Sequence, residues 1–295
     1  MIGSYLKLNN GVEMPDFGLG VYQSNADQTR SAVTAALKHG YRLIDTAAAY
    51  MNEEQVGEAV RQSEVDRAEI FVTTKLWISD YGFDQTQHAF DRSMRKLGLE
   101  SLDLYLLHWP VPTQFDKTIE SWRAAERLLA DGRVRAIGVC NFSPKELDEL
   151  IARSEVVPAV NQVELHPFFA QPVLRLADQQ RAIVTQAWSP IGGVQRYAAG
   201  GAGADDPLQH PHITQLAQKY GKTPAQIVLR WQIEIGNAVI PKSVHGGRII
   251  ENAAIFDFRL DKDELESISA LDTGKRGGPD PERVSEQLFD FEIPD

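Results

Sequence analysis

Short apolar runs that read as β-strands alternate with amphipathic stretches of helical period along nearly the whole chain, and few folds tolerate that rhythm. Strands are expected at 17–20, 42–45, 70–75, 103–108, 134–140, 159–163, 183–187 and 238–240. Helices are expected at 27–39, 53–63, 84–97, 118–130 and 173–180, and 249–254 is helix-like. One more helix should follow Ser143, with Pro144 in its first turn and Glu146 at the capping-box position. Such alternation implies parallel strands joined by helical crossovers, and eight of them favour a closed (β/α)8 TIM barrel, an α/β fold, over an open sheet. A chain of 295 residues fits one barrel domain, 1–295. An N-terminal hairpin, 5–14, precedes the repeat: Asn10-Gly11 predicts a two-residue turn with both residues at positive φ.

Two segments interrupt the pattern. Residues 189–207 are too long and too rich in glycine for an ordinary connection, and 192–203 is expected to be either a lid or a disordered insertion. The tail, 274–295, has no clear period and carries five acidic residues after Pro281. It either covers the barrel mouth or frays.

Hydrophobic residues make up 43% of the chain and charged residues 24%, enough apolar material for a packed core. The net charge of −11 opposes a phosphate-backbone footprint, so no nucleic acid is expected as a partner. The one cysteine, Cys140, excludes an internal disulfide and a Cys-rich zinc site. The first residues lack a basic start and an apolar run, and no stretch approaches the roughly 20 apolar residues of a membrane span. A soluble, cytoplasmic monomer is the expectation.

The predicted strands end on polar or aromatic residues: Asp45, Lys75, His108, Asn141, Gln162, Trp188 and Lys242. Solvated strand termini favour polar residues in any protein, but this mixture suits a lined pocket at the face where barrel enzymes do chemistry. Tyr50, in the loop after Asp45, completes a set of acid, phenol, amine and imidazole. A lysine ammonium beside a phenol favours the phenolate, so Lys75 is expected to bring the Tyr50 pKa down, with Asp45 keeping Lys75 charged and oriented. Tyr50 then acts as general acid and neutral His108 donates a hydrogen bond to a carbonyl oxygen. Hydride arriving at a carbonyl carbon builds charge on that oxygen, which is what such a set would manage. The hydride itself must come from a cofactor.

Gly18-Leu19-Gly20 lacks the third glycine and the following helix of a dinucleotide fingerprint. The better anion site is Ile240-Pro241-Lys242-Ser243-Val244-His245-Gly246-Gly247-Arg248, which runs into the helix-like segment with no acidic residue between Gly236 and Ile250. Free N–H groups at a helix start plus Lys242 and Arg248 suit a phosphate. His210-Pro211-His212 lacks a third ligand, so no metal is expected, and His166 is read as structural.

In these residues and the motifs around them the chain resembles the aldo-keto reductases, and the match runs over nearly its whole length. The motifs that carry it are Asp45-Thr46-Ala47 with Tyr50, Thr74-Lys75-Leu76-Trp77, Leu107-His108-Trp109-Pro110, Gly138-Val139-Cys140-Asn141-Phe142, Asn161-Gln162-Val163-Glu164, Ala187-Trp188-Ser189-Pro190 and Ile240-Pro241-Lys242-Ser243. The pattern is most similar to bacterial members, 2,5-diketo-gluconic acid reductase-like, acting on aldehydes, keto-sugars and diketo acids. The resemblance implies an oxidoreductase that binds NADPH (NADP+) in extended form and reduces a small-molecule carbonyl substrate. It makes Tyr50 the proton donor, with Lys75 and Asp45 tuning it and His108 orienting the carbonyl. Asn141 and Gln162 would hold the nicotinamide amide, Trp188 would stack on its ring, and Gly20, Val21 and Tyr22 would lie beside it. Ser189, Pro190 and Ile191 would follow the pyrophosphate, Lys242, Ser243, Val244, His245 and Arg248 would surround the 2′-phosphate, and Glu251 and Asn252 would meet the adenine.

Trp77, Trp109 and Tyr22 would wall the substrate side, which suits apolar and sugar-like carbonyl compounds equally. The chain departs from the family pattern at Cys140, often Ser; at His245, often Ser, Thr or Arg, which would make its phosphate contact pH-dependent; and at Tyr22, often Trp. Two other functions remain open: an aldolase using Lys75 as a Schiff-base nucleophile, and a non-catalytic NADPH sensor.

Overall fold

The computed structural model describes residues 2–193, 206–285 and 291–295. Residues 194–203 of the expected lid therefore lie outside the described residues. Two strands, β1 (Tyr5–Lys7) and β2 (Glu13–Pro15), form an antiparallel hairpin with Leu6 opposite Met14. The eight-stranded sheet follows in chain order: β3 (Leu19–Gly20), β4 (Leu43–Asp45), β5 (Phe71–Leu76), β6 (Leu102–Leu107), β7 (Val134–Cys140), β8 (Val160–Glu164), β9 (Val184–Trp188) and β10 (Ala238–Val239). All neighbours are parallel, and bridges from Phe17 to Val239 and from Gly20 to Lys242 join the two edges into a barrel. Gly20 permits that seam: a Cβ there would lie 2.9 Å from the Ile240 carbonyl oxygen.

The period of two along each strand divides the core. Leu104 and Leu106 of β6 point inward with Leu43, Phe71, Ala136, Val160 and Ile240, while Tyr105 and Leu107 face the helices. Leu8 and Met14 of the hairpin join the inner cluster. Asn9 Nδ2 donates to Pro158 O (2.9 Å) and Asn10 Nδ2 to Arg135 O (2.9 Å), at the starts of β8 and β7, so the hairpin plugs the N-terminal end of the barrel.

The turn of that hairpin differs from the expectation. Among its residues only Gly11 has a positive φ (88°), and Gly11 N–H donates to Leu8 O at 2.9 Å. The loop is the three-residue form ending in a left-handed glycine. Asn10 is held by its side chain, which also accepts from Val12 N–H at 3.1 Å.

The helix Pro144–Ala152 carries the expected capping box from Ser143 and Glu146. Helices Pro211–Tyr220, Pro224–Glu234 and Lys262–Ser269 were not foreseen. Ile227, Val228, Leu229 and Trp231 are all fully buried, so Pro224–Glu234 is covered on most faces and shows no amphipathic period. Its signal was the Thr223–Gln226 capping box, present in the sequence as Thr-Pro-Ala-Gln.

Candidate active site

A cavity of about 870 Å3 opens at the C-terminal ends of the strands. Its floor is the next inward-pointing layer above the apolar core. Leu43 is followed two residues on by Asp45, Thr73 by Lys75, Leu106 by His108, Val160 by Gln162 and Ile240 by Lys242. His108 stands just past the end of β6, its N–H donating to Leu76 O at 3.2 Å.

Lys75 is fully buried and its ammonium has three acceptors. Nζ lies 2.5 Å from Asp45 Oδ1, 2.9 Å from Thr46 O and 3.4 Å from the Tyr50 hydroxyl oxygen. The second carboxylate oxygen, Asp45 Oδ2, accepts from Gln162 Nε2 at 2.7 Å. Burial disfavours either charge alone, but the contact with Asp45 holds the Lys75 pKa above its ordinary value and keeps the pair ionised. Gln162 Nε2 also donates to Gln186 Oε1 at 2.7 Å, so its own carbonyl oxygen is left to accept from the cavity.

The expected fall in the Tyr50 pKa is not what the geometry gives. Enclosure at the cavity floor raises the phenol above its usual value of 10.0, and Lys75 offsets only part of that. Burial dominates, and Lys75 offsets it only in part because Asp45 compensates the ammonium at short range while the phenol sits 3.4 Å away. Tyr50 is therefore a protonated donor through the neutral range. Burial, assisted by the Lys75 charge, pushes His108 well below 6.5, so its imidazole is neutral, and Nδ1 has no hydrogen-bond partner among the described residues.

Aromatic rings surround this floor. The Tyr50 ring lies 4.9 Å from Tyr22 and 5.7 Å from His108, and Trp77 lies 5.2 Å from His108. Trp109 stacks near His108 at 6.3 Å. Phe291 of the tail stacks on Trp77 at 4.7 Å. The tail is anchored upstream as well, where Gly277 and Gly278 N–H donate to the buried Glu164 carboxylate at 2.7 and 2.9 Å. The described parts of the tail thus lie against the mouth.

On the opposite wall, Asn141 adopts a left-handed backbone (φ 65°), donates from Nδ2 to His108 O at 3.1 Å and accepts from Trp188 Nε1 at 2.9 Å, fixing the indole plane. Beyond it run Ser189, Pro190 and Ile191, and then Lys242, Ser243, Val244, His245, Arg248, Glu251 and Asn252, all lining the same cavity. The helix Gly246–Ala253 starts there; His245 makes no side-chain cap and no acidic residue occupies the first turn. Lys242 and Arg248 make no ion pair with the described residues, and partial burial lowers the Lys242 pKa. Glu251 accepts from Thr223 Oγ1 at 2.9 Å.

Two predicted residues do not line the cavity. Lys75 lies behind Tyr50, and Val21 is fully buried, its carbonyl accepting from Asn52. The lining also includes Gln23, Ala49, Leu208, Thr223, Pro279 and Phe291, which the strand-end pattern did not reveal. His210 Nδ1 caps the helix Pro211–Tyr220 and His212 Nε2 bonds Ser267 Oγ at 2.7 Å, while His166 Nε2 meets Glu164 at 3.0 Å. No group of three potential metal ligands occurs among the described residues.

Residues 16–273 match the model of the aldo/keto reductase family. The chain is 53% identical to morphine 6-dehydrogenase of Pseudomonas putida over 96% of each sequence. It is 48% identical to methylglyoxal reductase DkgA of Escherichia coli K12, over 94% of this chain and 97% of that one. Its structure superposes on the Bombyx mori aldo-keto reductase in complex with NADP with a TM-score of 0.88, at 35% identity and 99% coverage of both chains.

Proposed function

This chain belongs to the aldo/keto reductase family, and we propose that it reduces aldehydes and ketones to alcohols with NADPH, Tyr50 delivering the proton to the carbonyl oxygen. The observation that carries the reading is the buried Asp45–Lys75 ion pair beneath a protonated Tyr50, with neutral His108 across the same floor. NADPH, when bound, supplies the hydride. The residues present fit it: Gln162 and Asn141 offer amide groups beside the fixed face of Trp188, and Ser189, Pro190 and Ile191 continue along the wall. At the far end an uncapped helix start, Lys242, Arg248 and His245 match a phosphate, with Ser243 and Val244 beside them and Glu251 and Asn252 near an adenine.

His108 donates a hydrogen bond to the substrate oxygen, which orients the carbonyl and stabilises the charge that develops there. Tyr50 gives its proton to that oxygen, and the Lys75 ammonium stabilises the phenolate left behind. Asp45 and Thr46 O hold that ammonium in place. Trp77 and Trp109, both buried, exclude water from one side, and Tyr22 flanks it.

Lys75 as a Schiff-base nucleophile is disfavoured, because its nitrogen is fully buried, charged and engaged by three acceptors. The intact floor likewise weighs against a purely sensing role. No helix among the described residues is long and apolar enough to cross a membrane. Tyr50→Phe is the test: NADPH affinity, read by fluorescence titration, should persist while carbonyl turnover falls by about 10²–10⁴. Turnover within a few-fold of the parent would remove Tyr50 as the acid.

A further inference from the structure

We propose that Asn52, which does not line the cavity, is a positioning residue for the proton donor, an inference that rests on the role just assigned to Tyr50. Asn52 is 2% exposed and is the N-cap of helix Glu53–Arg61, yet its side chain makes no capping bond. Asparagine is among the strongest N-caps, so this side chain forgoes its usual local partner. It bridges three segments instead. Oδ1 accepts from Thr46 Oγ1 at 2.7 Å; Nδ2 donates to Val21 O at 3.0 Å and reaches Ser24 O at 3.4 Å and Thr29 Oγ1 at 3.3 Å. The backbone carbonyls accept only, which fixes the amide orientation.

Two of the bridged segments touch the reacting floor. Thr46 O is a ligand of the Lys75 ammonium, Val21 N–H donates to Asp45 O at 3.2 Å, and Tyr22 packs its ring on Tyr50. Tyr50 itself is held lightly: among the described residues its hydroxyl has one hydrogen bond, the 3.4 Å contact with Lys75. Its position is therefore set by the backbone from Thr46 to Asn52, a loop closed by the Thr46–Asn52 side-chain bond. That loop is under strain. The 3₁₀ turn Ala48–Tyr50 ends at Met51, a non-glycine residue at φ 55°, and such a conformation persists only when its surroundings impose it. Asn52 is the adjacent group that does so, and through Val21 and Ser24 it also fixes the loop carrying Tyr22. Releasing it would let the phenol drift from Lys75 and from the substrate oxygen, while Trp188 and the phosphate end of the cofactor wall, Lys242 to Arg248, have no contact with it.

The experiment compares Asn52→Ala and Thr46→Val with the parent enzyme, using NADPH and a reducible aldehyde. In Asn52→Ala, kcat should fall by about 10- to 100-fold, the scale of an ångström-level misplacement. The NADPH dissociation constant should stay within about twofold, and the solvent deuterium isotope effect on kcat should rise as proton delivery becomes limiting. Thr46→Val, which removes one bond of the bridge, should show a smaller loss of the same kind, and it carries the test if Asn52→Ala does not fold. A folded Asn52→Ala with kcat within twofold of the parent, or a kcat loss with an unchanged solvent isotope effect, overturns the proposal. Tyr50→Phe separates the two readings. If it retains turnover, the proton-donor assignment fails; if it is inactive while Asn52→Ala is fully active, only the role of Asn52 fails.

Discussion

Removing the ammonium of Lys75 should damage stability as well as activity, and the structure sets the size of the loss. In Lys75→Met the side chain keeps much of its volume, but Asp45, 1% exposed, retains one side-chain donor, Gln162 Nε2. Breaking a buried ion pair from one side typically costs about 3–5 kcal/mol, because it strands a charge away from water. The stranded carboxyl can escape that penalty only by taking up a proton, because burial raises its pKa and the lost ammonium no longer lowers it. At ~2 °C per kcal/mol for a chain of this size, Tm should drop by roughly 6–10 °C.

The pH dependence has a definite sign. A carboxyl whose folded pKa is raised contributes stability below its unfolded pKa and loses it as pH rises through the folded value. The deficit of Lys75→Met relative to the parent should therefore shrink steadily as pH falls from 7 toward 4. Adding Asp45→Asn removes the charge, so the double variant should recover most of the lost stability and stay inactive. Differential scanning calorimetry across that pH range, paired with aldehyde turnover, reads all of these quantities. A deficit below about 1 kcal/mol, a deficit independent of pH, or a double variant as unstable as the single one would refute the stranded-charge reasoning.

Lys242→Ala and Arg248→Ala should each raise the KM for NADPH far more than that for NADH, since both cations stand at the uncapped helix start without ion-pair partners among the described residues; equal effects on the two cofactors would remove the 2′-phosphate assignment. Gly57→Ala should destabilise by about 3 kcal/mol in urea titrations with NADPH affinity unchanged, because its Cβ would sit 1.8 Å from Leu97 O, a backbone atom at the end of the neighbouring helix that cannot step aside.

The chemistry of the floor was readable because it obeys the strand period. Once β4, β5, β6 and β8 are placed parallel, Asp45, Lys75, His108 and Gln162 must point inward above the apolar layer, and residue identity does the rest. What escaped depends on three-dimensional distance. The direction of the Tyr50 shift turns on how enclosed the phenol is and how closely Asp45 compensates Lys75, and neither follows from spacing. Asn10-Gly11 signalled a hairpin correctly, but the form of its turn is set by the bond from Asn10 to Arg135 O, 125 residues away. Pro224–Glu234 was lost for the opposite reason, since a helix buried on most faces has no period to read.

The wall of the cavity shows the same limit from the other side. Glu164 follows Gln162 by two residues on β8 and so points the same way, but it is one layer higher, where no chemistry needs an acid. Its buried carboxylate accepts the N–H groups of Gly277 and Gly278, 113 and 114 residues on, with Arg276 at 3.9 Å. Gly278 must lack a side chain for this to work, since a Cβ there would come within 2.6 Å of the Trp188 ring. The tail is thus drawn against the indole that forms the cavity wall, and Pro279 and Phe291 are delivered to its lining. One strand therefore supplies both the amide that steadies Asp45 and the carboxylate that anchors the tail. Chemistry and enclosure are built from successive inward positions, which is why the first could be read from the strand ends and the second required the fold.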